Sequence, residues 1–271
     1  MMFRQVFLLS VFIFIIVVVL LFANHFVYAG QSDKQMSENI SLLDSKAINC
    51  LNADIAMESG TLKISDNSNV DTALCATLSY CIPANKPILQ SSSVNGTGII
   101  NIIQPHNAFL FLKTKEYMSN FWDIKLNNNI QTNLTIKLGS GNADLSLGKL
   151  KMSNLTIKKG SGQLHLDFSG KPSIQFLDIS SGLGESVIDF SGQWTNNLNA
   201  NISSGIGSVK LKFPSNVGIK VFVKSGLGKI KTKGFNRVGD SYINNAYGKI
   251  NTMLVINLKA GSGDIELFSA E

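Results

Sequence analysis

The sequence predicts an all-β chain: a single-domain β-solenoid built from repeats of about twenty-one residues. Three observations carry this. A Gly-X-Gly element recurs as Gly139-Ser140-Gly141, Gly160-Ser161-Gly162, Gly182-Leu183-Gly184, Gly205-Ile206-Gly207, Gly226-Leu227-Gly228 and Gly261-Ser262-Gly263, and from Gly141 to Gly228 the second glycines stand 21, 22, 23 and 21 residues apart. Each element lies between runs in which apolar and polar residues alternate, the two-residue period of a strand with one face buried. The 5 prolines all fall outside those runs, as a ladder requires, because proline has no N–H to donate.

Residues 1–29 read as a secretory signal peptide. Arg4 supplies the positive start, Val6 to Ala23 is apolar apart from Ser10, and Val27-Tyr28-Ala29 offers a cleavage site before Gly30. The apolar run is also long enough to span a bilayer. An uncleaved membrane anchor is therefore the alternative, and in that case it is the chain's one contact with the membrane. Both readings export the rest, to the periplasm or the cell surface. Residues 30–46 are polar and weakly patterned and read as a spacer. The solenoid domain is expected over 47–271.

Within that domain, Ala53 to Met57 and Leu62 to Ser65 read as strands joined at Glu58-Ser59-Gly60. Asp66 to Asn95 interrupts the pattern as an insert with one strand near Ala73 to Tyr80. Gly96-Thr97-Gly98 restores the motif before Ile99 to Ile103. Later repeats place Leu134, Ile136 and Leu138 before one corner and Leu145 and Leu147 after it, then Leu155 and Ile157 before Leu164, Leu166 and Phe168. The same alternation continues to Ile265 and Leu267. Two glycines at each turn serve a corner whose backbone other residues resist and whose neighbours approach closely. Ala246-Tyr247-Gly248 keeps only the second glycine and reads as a degenerate unit or an insertion. No segment after the signal reads as a helix.

The chain carries a net charge of +6, with its lysines scattered along strands. Lys210, Lys212, Lys220 and Lys224 stand on alternate residues and are expected to share an outward face, a candidate patch for an anionic partner. Of the 3 cysteines, Cys75 and Cys81 are the expected disulfide in an exported chain, with pairings through Cys50 also open. No metal or cofactor is expected. Asp144, Asp167, Asp189 and Asp264 do not keep one offset from their glycines, unlike calcium-binding repeats. His106 and His165 lack matched ligand spacing. A nucleotide loop needs a helix after its glycines, and here a strand follows. Nucleic acid is not an expected partner. Trp122, Trp194, Phe109, Phe111 and Phe121 could stack against glycan, but packing is the expected role. The Asn-X-Ser/Thr sites at Asn39, Asn95, Asn133, Asn154 and Asn201 follow from the abundance of Asn.

Trp122-Asp123-Ile124-Lys125-Leu126-Asn127, followed by Leu134 to Gly141, resembles the toast-rack domain of bacterial envelope proteins. That domain is related to the LiaF-like group of the cell-wall-active antibiotic response. Ser181 to Glu185, Phe213-Pro214-Ser215-Asn216-Val217-Gly218 and Asn244 to Gly248 are similar in the same order. The resemblance covers roughly Ala47 to Glu271. It implies a β-solenoid-like domain outside the cytoplasmic membrane, without known catalytic residues. Proteins of that group commonly carry several transmembrane helices, whereas this chain has a single apolar segment. The expectation is a non-enzymatic structural or interaction module that binds an envelope protein or an anionic surface polymer. A surface adhesin is one alternative. An envelope hydrolase is another, though no Ser–His–acid set is readable.

Overall fold

The computed structural model describes residues 35–67, 71–81, 85–106 and 120–269. The signal segment, its cleavage site, Phe109 and Phe111 lie outside the described residues. The elements are β1 (Met36–Asp44), a short 3-10 turn (Ser45–Ala47), β2 (Cys50–Asn67), β3 (Thr72–Tyr80), β4 (Ile88–Val94), β5 (Thr97–Ile103), β6 (Phe121–Asn127), β7 (Gln131–Ser146), β8 (Met152–Ser161), β9 (Leu164–Asp167), β10 (Phe176–Leu183), β11 (Ser186–Asp189), β12 (Leu198–Ile206), β13 (Val209–Phe213), β14 (Gly218–Leu227), β15 (Ile230–Lys233), β16 (Asn236–Val238), β17 (Ser241–Ile243), β18 (Met253–Ser262) and β19 (Ile265–Ser269). Among the described residues, no helix is long and apolar enough to cross a membrane.

The alternating runs build two parallel ladders that meet at the glycine corners. The first ladder stacks β5, the first half of β2, the first half of β7, then β8, β10, β12, β18 and β14. The second stacks β6, the rest of β2, the rest of β7, then β9, β11, β13, β19 and β15. Inward positions form columns along the stack. Ile55, Ile136, Ile157, Ile179, Ile202 and Leu258 make one in the first ladder, all buried. On the second ladder Phe168, Phe190 and Phe213 stack at ring distances of 5.8 and 5.3 Å. Trp194 packs on the first two of these and donates its indole N–H to the carbonyl of Phe190 at 2.7 Å. Trp122 is fully buried as well. The tryptophans are thus core residues, as a large apolar ring in a stacked fold would be.

The rungs do not stack in chain order at either end. The last rung in the chain, β18–β19, lies inside, between β12–β13 and β14–β15. At the other end β2 lies inside, between β5–β6 and β7. The outermost rungs adjoin antiparallel hairpin strands: β4 pairs with β5, and β17 pairs with both β14 and β16. β3 likewise pairs antiparallel with β6. Antiparallel capping gives the end strands partners they would otherwise lack.

Three expectations are corrected here. The segment read as spacer contributes β1, which pairs antiparallel with β3 through Met36↔Tyr80 to Asp44↔Thr72. Its inward Ile40 and Leu42 are only partly buried against the core, a weak signal proper to an edge strand. Gly96 belongs to the β4–β5 hairpin and not to a corner. Asn95 and Gly96 both have positive φ, 50° and 75°, as a two-residue Asn-Gly hairpin turn demands. The Cys75–Cys81 disulfide does not form. Cys75 lies within β3 and Cys81 one residue past its end. Six residues of extended chain span about 20 Å, whereas a disulfide joins Cα atoms within about 7 Å. Cys50 and Cys75 stand outside any disulfide, and Cys75 Sγ lies 2.9 Å from the hydroxyl of Thr72.

One buried cation interrupts the inner column beside the corners. The column reads Met57, Leu138, Lys159, Ser181, Ser204 and Ala260. Lys159 is 4% exposed. Its ammonium donates to the carbonyl of Gly162, and to that of Leu183 at 3.4 Å. Burial holds its pKa below the ordinary lysine value, because the charged form loses hydration. Of its two column neighbours, Leu138 is apolar and Ser181 is small, so Lys159→Met is expected to raise stability, by about 1–4 kcal/mol if it follows buried ion-pair replacements. The sign with pH follows from the lowered pKa. The unfolded chain binds the proton more readily, so wild-type stability rises as pH climbs through the folded-state pKa toward 10.5 and falls as pH drops. Urea melts at pH 7 and pH 10 should show the gain from Lys159→Met shrinking at the higher pH. A loss of stability at both would mean that the two carbonyl bonds outweigh burial of the charge.

Candidate functional site

The corner glycines shape the surface as well as the turn. Each rung of the first ladder ends in an outward position, then an inward one, then the first glycine of Gly-X-Gly. That glycine column is Gly139, Gly160, Gly182, Gly205, Gly261 and Gly226, in stacking order. It carries no side chains, so it leaves a trough running along the stack. An open groove of ≈ 640 Å³ lies there, bordered by Lys137, Lys158, Ser180 and Ser203. Glu58 takes the glycine's place on the β2 rung and ends the trough at that side.

The opposite wall is the corner ridge, formed by the middle residues of the motif. It begins with Ser140 and Ser161 and becomes Leu183, Ile206, Ser262 and Leu227. Leu183, Ile206 and Leu227 are 51%, 59% and 77% exposed.

The outward column beside the trough reads Ala56, Lys137, Lys158, Ser180, Ser203, Lys259 and Lys224. With adjacent strands about 4.8 Å apart, the column extends nearly 30 Å. Lys137 is paired with Asp54 at 2.9 Å. Lys158, Lys259 and Lys224 are exposed and form no ion pair among the described residues.

The expected patch of Lys210, Lys212, Lys220 and Lys224 does not exist as one face. Lys210 and Lys212 project from β13 on the second ladder, while Lys220 and Lys224 lie on β14 in the first. The first pair is also neutralised across rungs. Lys210 contacts Glu185 at 2.8 Å and Lys212 contacts Asp189 at 2.9 Å. Both carboxyls sit below their usual range; the hydrogen bond from Lys210 lowers that of Glu185, and bonds from Ser191 and Lys212 outweigh the burial of Asp189. Lys220 lies 4.5 Å from the Phe222 ring centroid. Alternation along one strand fixes a face, but not which ladder the strand joins. The signal for the true column was present as a lysine two residues before the first glycine: Lys137, Lys158, Lys224 and Lys259.

His165 lies 3.2 Å from Asp144 on the outer face of the second ladder. Its neighbour on the next rung is Val187, which supplies no nucleophile. Among the described residues, no group of three or more metal-ligating side chains converges.

The family model for the N-terminal domain of toast_rack, DUF2154, matches residues 30–177. That is more than half of the chain. The chain belongs to the toast-rack family. Comparison with curated proteins gives no match. A crystal structure of a candidate cell adhesion protein from Clostridium sporogenes superposes with a TM-score of 0.66 at 24% identity, covering 88% of this chain and 100% of that one. The two share the fold. A candidate adhesin from Bacteroides fragilis aligns over 87% of this chain and 98% of its own, at 12% identity and a TM-score of 0.30.

Proposed function

We propose that this toast-rack chain is an exported, non-catalytic binding module of the bacterial envelope, and that its glycine trough receives an extended anionic polymer. The observation that supports this most directly is the lysine column. Lys158 borders the groove, and Lys259 and Lys224 continue its column along the first-glycine positions, none of them ion-paired among the described residues. A linear polymer carrying phosphate or carboxylate groups could lie along the trough with its backbone close to the glycines. Its charges would then face the lysines at intervals set by the rungs. The relation to envelope proteins supports the location, and the description of the Clostridium sporogenes protein is compatible with adhesion to such a polymer.

The test is binding of a soluble poly(glycerol phosphate) to the full chain. Lys158→Glu with Lys259→Glu is expected to weaken binding at least tenfold at low salt, and to leave the thermal midpoint within a few degrees. Wild-type binding should also weaken between 50 and about 500 mM salt as the charges are screened. Binding that survives both the double reversal and high salt would defeat the trough reading. It would point instead to the exposed Leu183, Ile206 and Leu227 ridge, the adhesive alternative.

A further inference from the structure

Among the described residues, the end of the stack at β14–β15 differs from the other rungs in having a flank with no paired strand. β17 covers β14 only from Lys220 to Phe222, and the next contact is Val223 N–H to the carbonyl of Asp240 at 3.2 Å. From Lys224 onward, β14 pairs only with β18 and β15 only with β19, among the described residues. Among the described residues, the edge from Lys224 to Thr232 therefore presents backbone donors and acceptors with no strand beside them. The inner columns open here too. Val223 and Ile230 are half-buried and Ser225 and Thr232 exposed, where the rung beneath has Leu258, Ala260, Ile265 and Leu267 buried.

The chemistry of this edge is uniform. Its sequence from Lys224 to Thr232, Lys-Ser-Gly-Leu-Gly-Lys-Ile-Lys-Thr, contains three lysines and no carboxylate. Elsewhere on the second ladder, a lysine on one rung meets an acid on the next. Lys210 meets Glu185, Lys212 meets Asp189, and Lys231 meets Glu266 at 3.2 Å. Lys231 already has its acids beneath it, at Asp264 and Glu266, so the rule places carboxylates on the next strand opposite Lys229 and Lys224, which have no ion pair among the described residues. A second copy of the same edge would instead set lysine against lysine, which is destabilising across a strand pair. Lysines on an edge can also serve only to repel other edges. However, a guarded edge does not require an exposed Leu227 or an open apolar column beside it.

We infer that this edge is a docking site for an extended, acidic segment of a partner protein, added as a further strand on β15 and the end of β14. Main-chain hydrogen bonds would give the affinity, and the lysines would select acidic side chains at alternate positions. The geometry identifies the groups involved. Ile265 N–H donates to the carbonyl of Lys229 at 2.9 Å, and Ile230 pairs with Ile265 in a parallel register. In a parallel ladder this turns the N–H groups of Lys231 and Lys233 toward β19 and those of Ile230 and Thr232 toward the free flank. A partner that also crossed the corner would need glycine over Gly228, whereas one lying along β15 alone would not.

The probe is a capped twelve-residue peptide of alternating Val and Glu, with a Val–Lys version as control, read by hydrogen exchange of the full chain. The acidic peptide should slow exchange at least tenfold within 224–233 and leave the trough residues around Lys137 and Lys158 unchanged. The Val–Lys peptide should do nothing. Thr232→Pro removes an outward N–H without touching a bond to β19, so it should abolish the protection and keep the wild-type melt. Lys229→Glu, at a position outside the trough column, should weaken binding at least threefold. Equal protection by both peptides would overturn the inference, as would protection that survives Thr232→Pro. Slow exchange of 224–233 without peptide, increasing with protein concentration, would assign the edge to a second copy. None of these outcomes bears on the trough, which is tested separately by the polymer.

Discussion

Gly207→Val is expected to prevent the stack from closing. Gly207 has φ +139°, in a region that side chains with a Cβ avoid and branched ones avoid most. A Cβ there would fall on the carbonyl oxygen of Gly184, directly beneath in the stack. Neither backbone can retreat. Gly184 N–H is bonded to the carbonyl of Ile206 at 2.8 Å, and Gly207 N–H to that of Ser262 at 2.8 Å. Relief of the overlap must break such bonds. The strained φ alone costs about 1–3 kcal/mol, and each lost backbone bond adds about 1 kcal/mol. With two such bonds the sum is about 3–5 kcal/mol, which reaches the lower end of an ordinary domain's stability, about 5–15 kcal/mol. Gly184→Val, with φ +116° over Gly162, should behave alike. Gly239 is the control: its φ is +60°, but nothing lies within 4 Å of a Cβ there. Gly239→Ala should cost about 1 kcal/mol. Urea melts of the three variants would decide the matter. An unchanged midpoint for Gly207→Val would mean that the corners do not stack as described.

The same corners explain what could be read without coordinates. Leu134, Ile136 and Leu138, then Leu145 and Leu147, alternate because one face of each ladder is wholly buried, and the break in period at Gly139-Ser140-Gly141 marks the turn. Local physics fixes both, so both were legible. Rung order was not. Leu254, Ile256 and Leu258 would fit against Ala200 and Ile202 or against Val221 and Val223 equally well, and every rung offers the same glycine corner. Repetition, which makes the architecture easy to recognise, removes the differences that would order its parts. For the same reason Lys210 and Lys220 looked like neighbours, although they lie on different ladders. β1 escaped notice because Ile40 and Leu42 are the inward side chains of an edge strand, too few to set a period. The lysine column needed only the glycines as a ruler, counting two residues back from each corner.

Rung order has a consequence that a simple linear array would not share. Deleting 251–271 removes β18 and β19. In a stack built in chain order, that would shave one rung from an end. Here it withdraws an inner rung and leaves β14 and β15 without their parallel partners. Direct reseating of β14–β15 on β12–β13 would match glycine to glycine at the corner. It would not match charge. In the native stack Lys210 and Lys231 stand on either side of Glu266, and Lys212 and Lys233 on either side of Phe268. Removing β19 would bring Lys231 onto Lys210 and Lys233 onto Lys212, while Lys231 lost both Asp264 and Glu266. Like charges set opposite across strands oppose that repair. The truncated chain should therefore retain slow hydrogen exchange over 131–213 and lose it over 218–250, where even the buried Asn244, which donates to the carbonyl of Val217 at 2.8 Å and accepts from Ile219 N–H at 2.9 Å, has no stack left to anchor it. The fall in stability should exceed the cost of one rung, because two rungs and the β16–β17 cap leave together. Protection persisting across 218–227 in the truncated chain would show that β14 reaches β12 without β18, and the inserted order of the last rung would have to be abandoned.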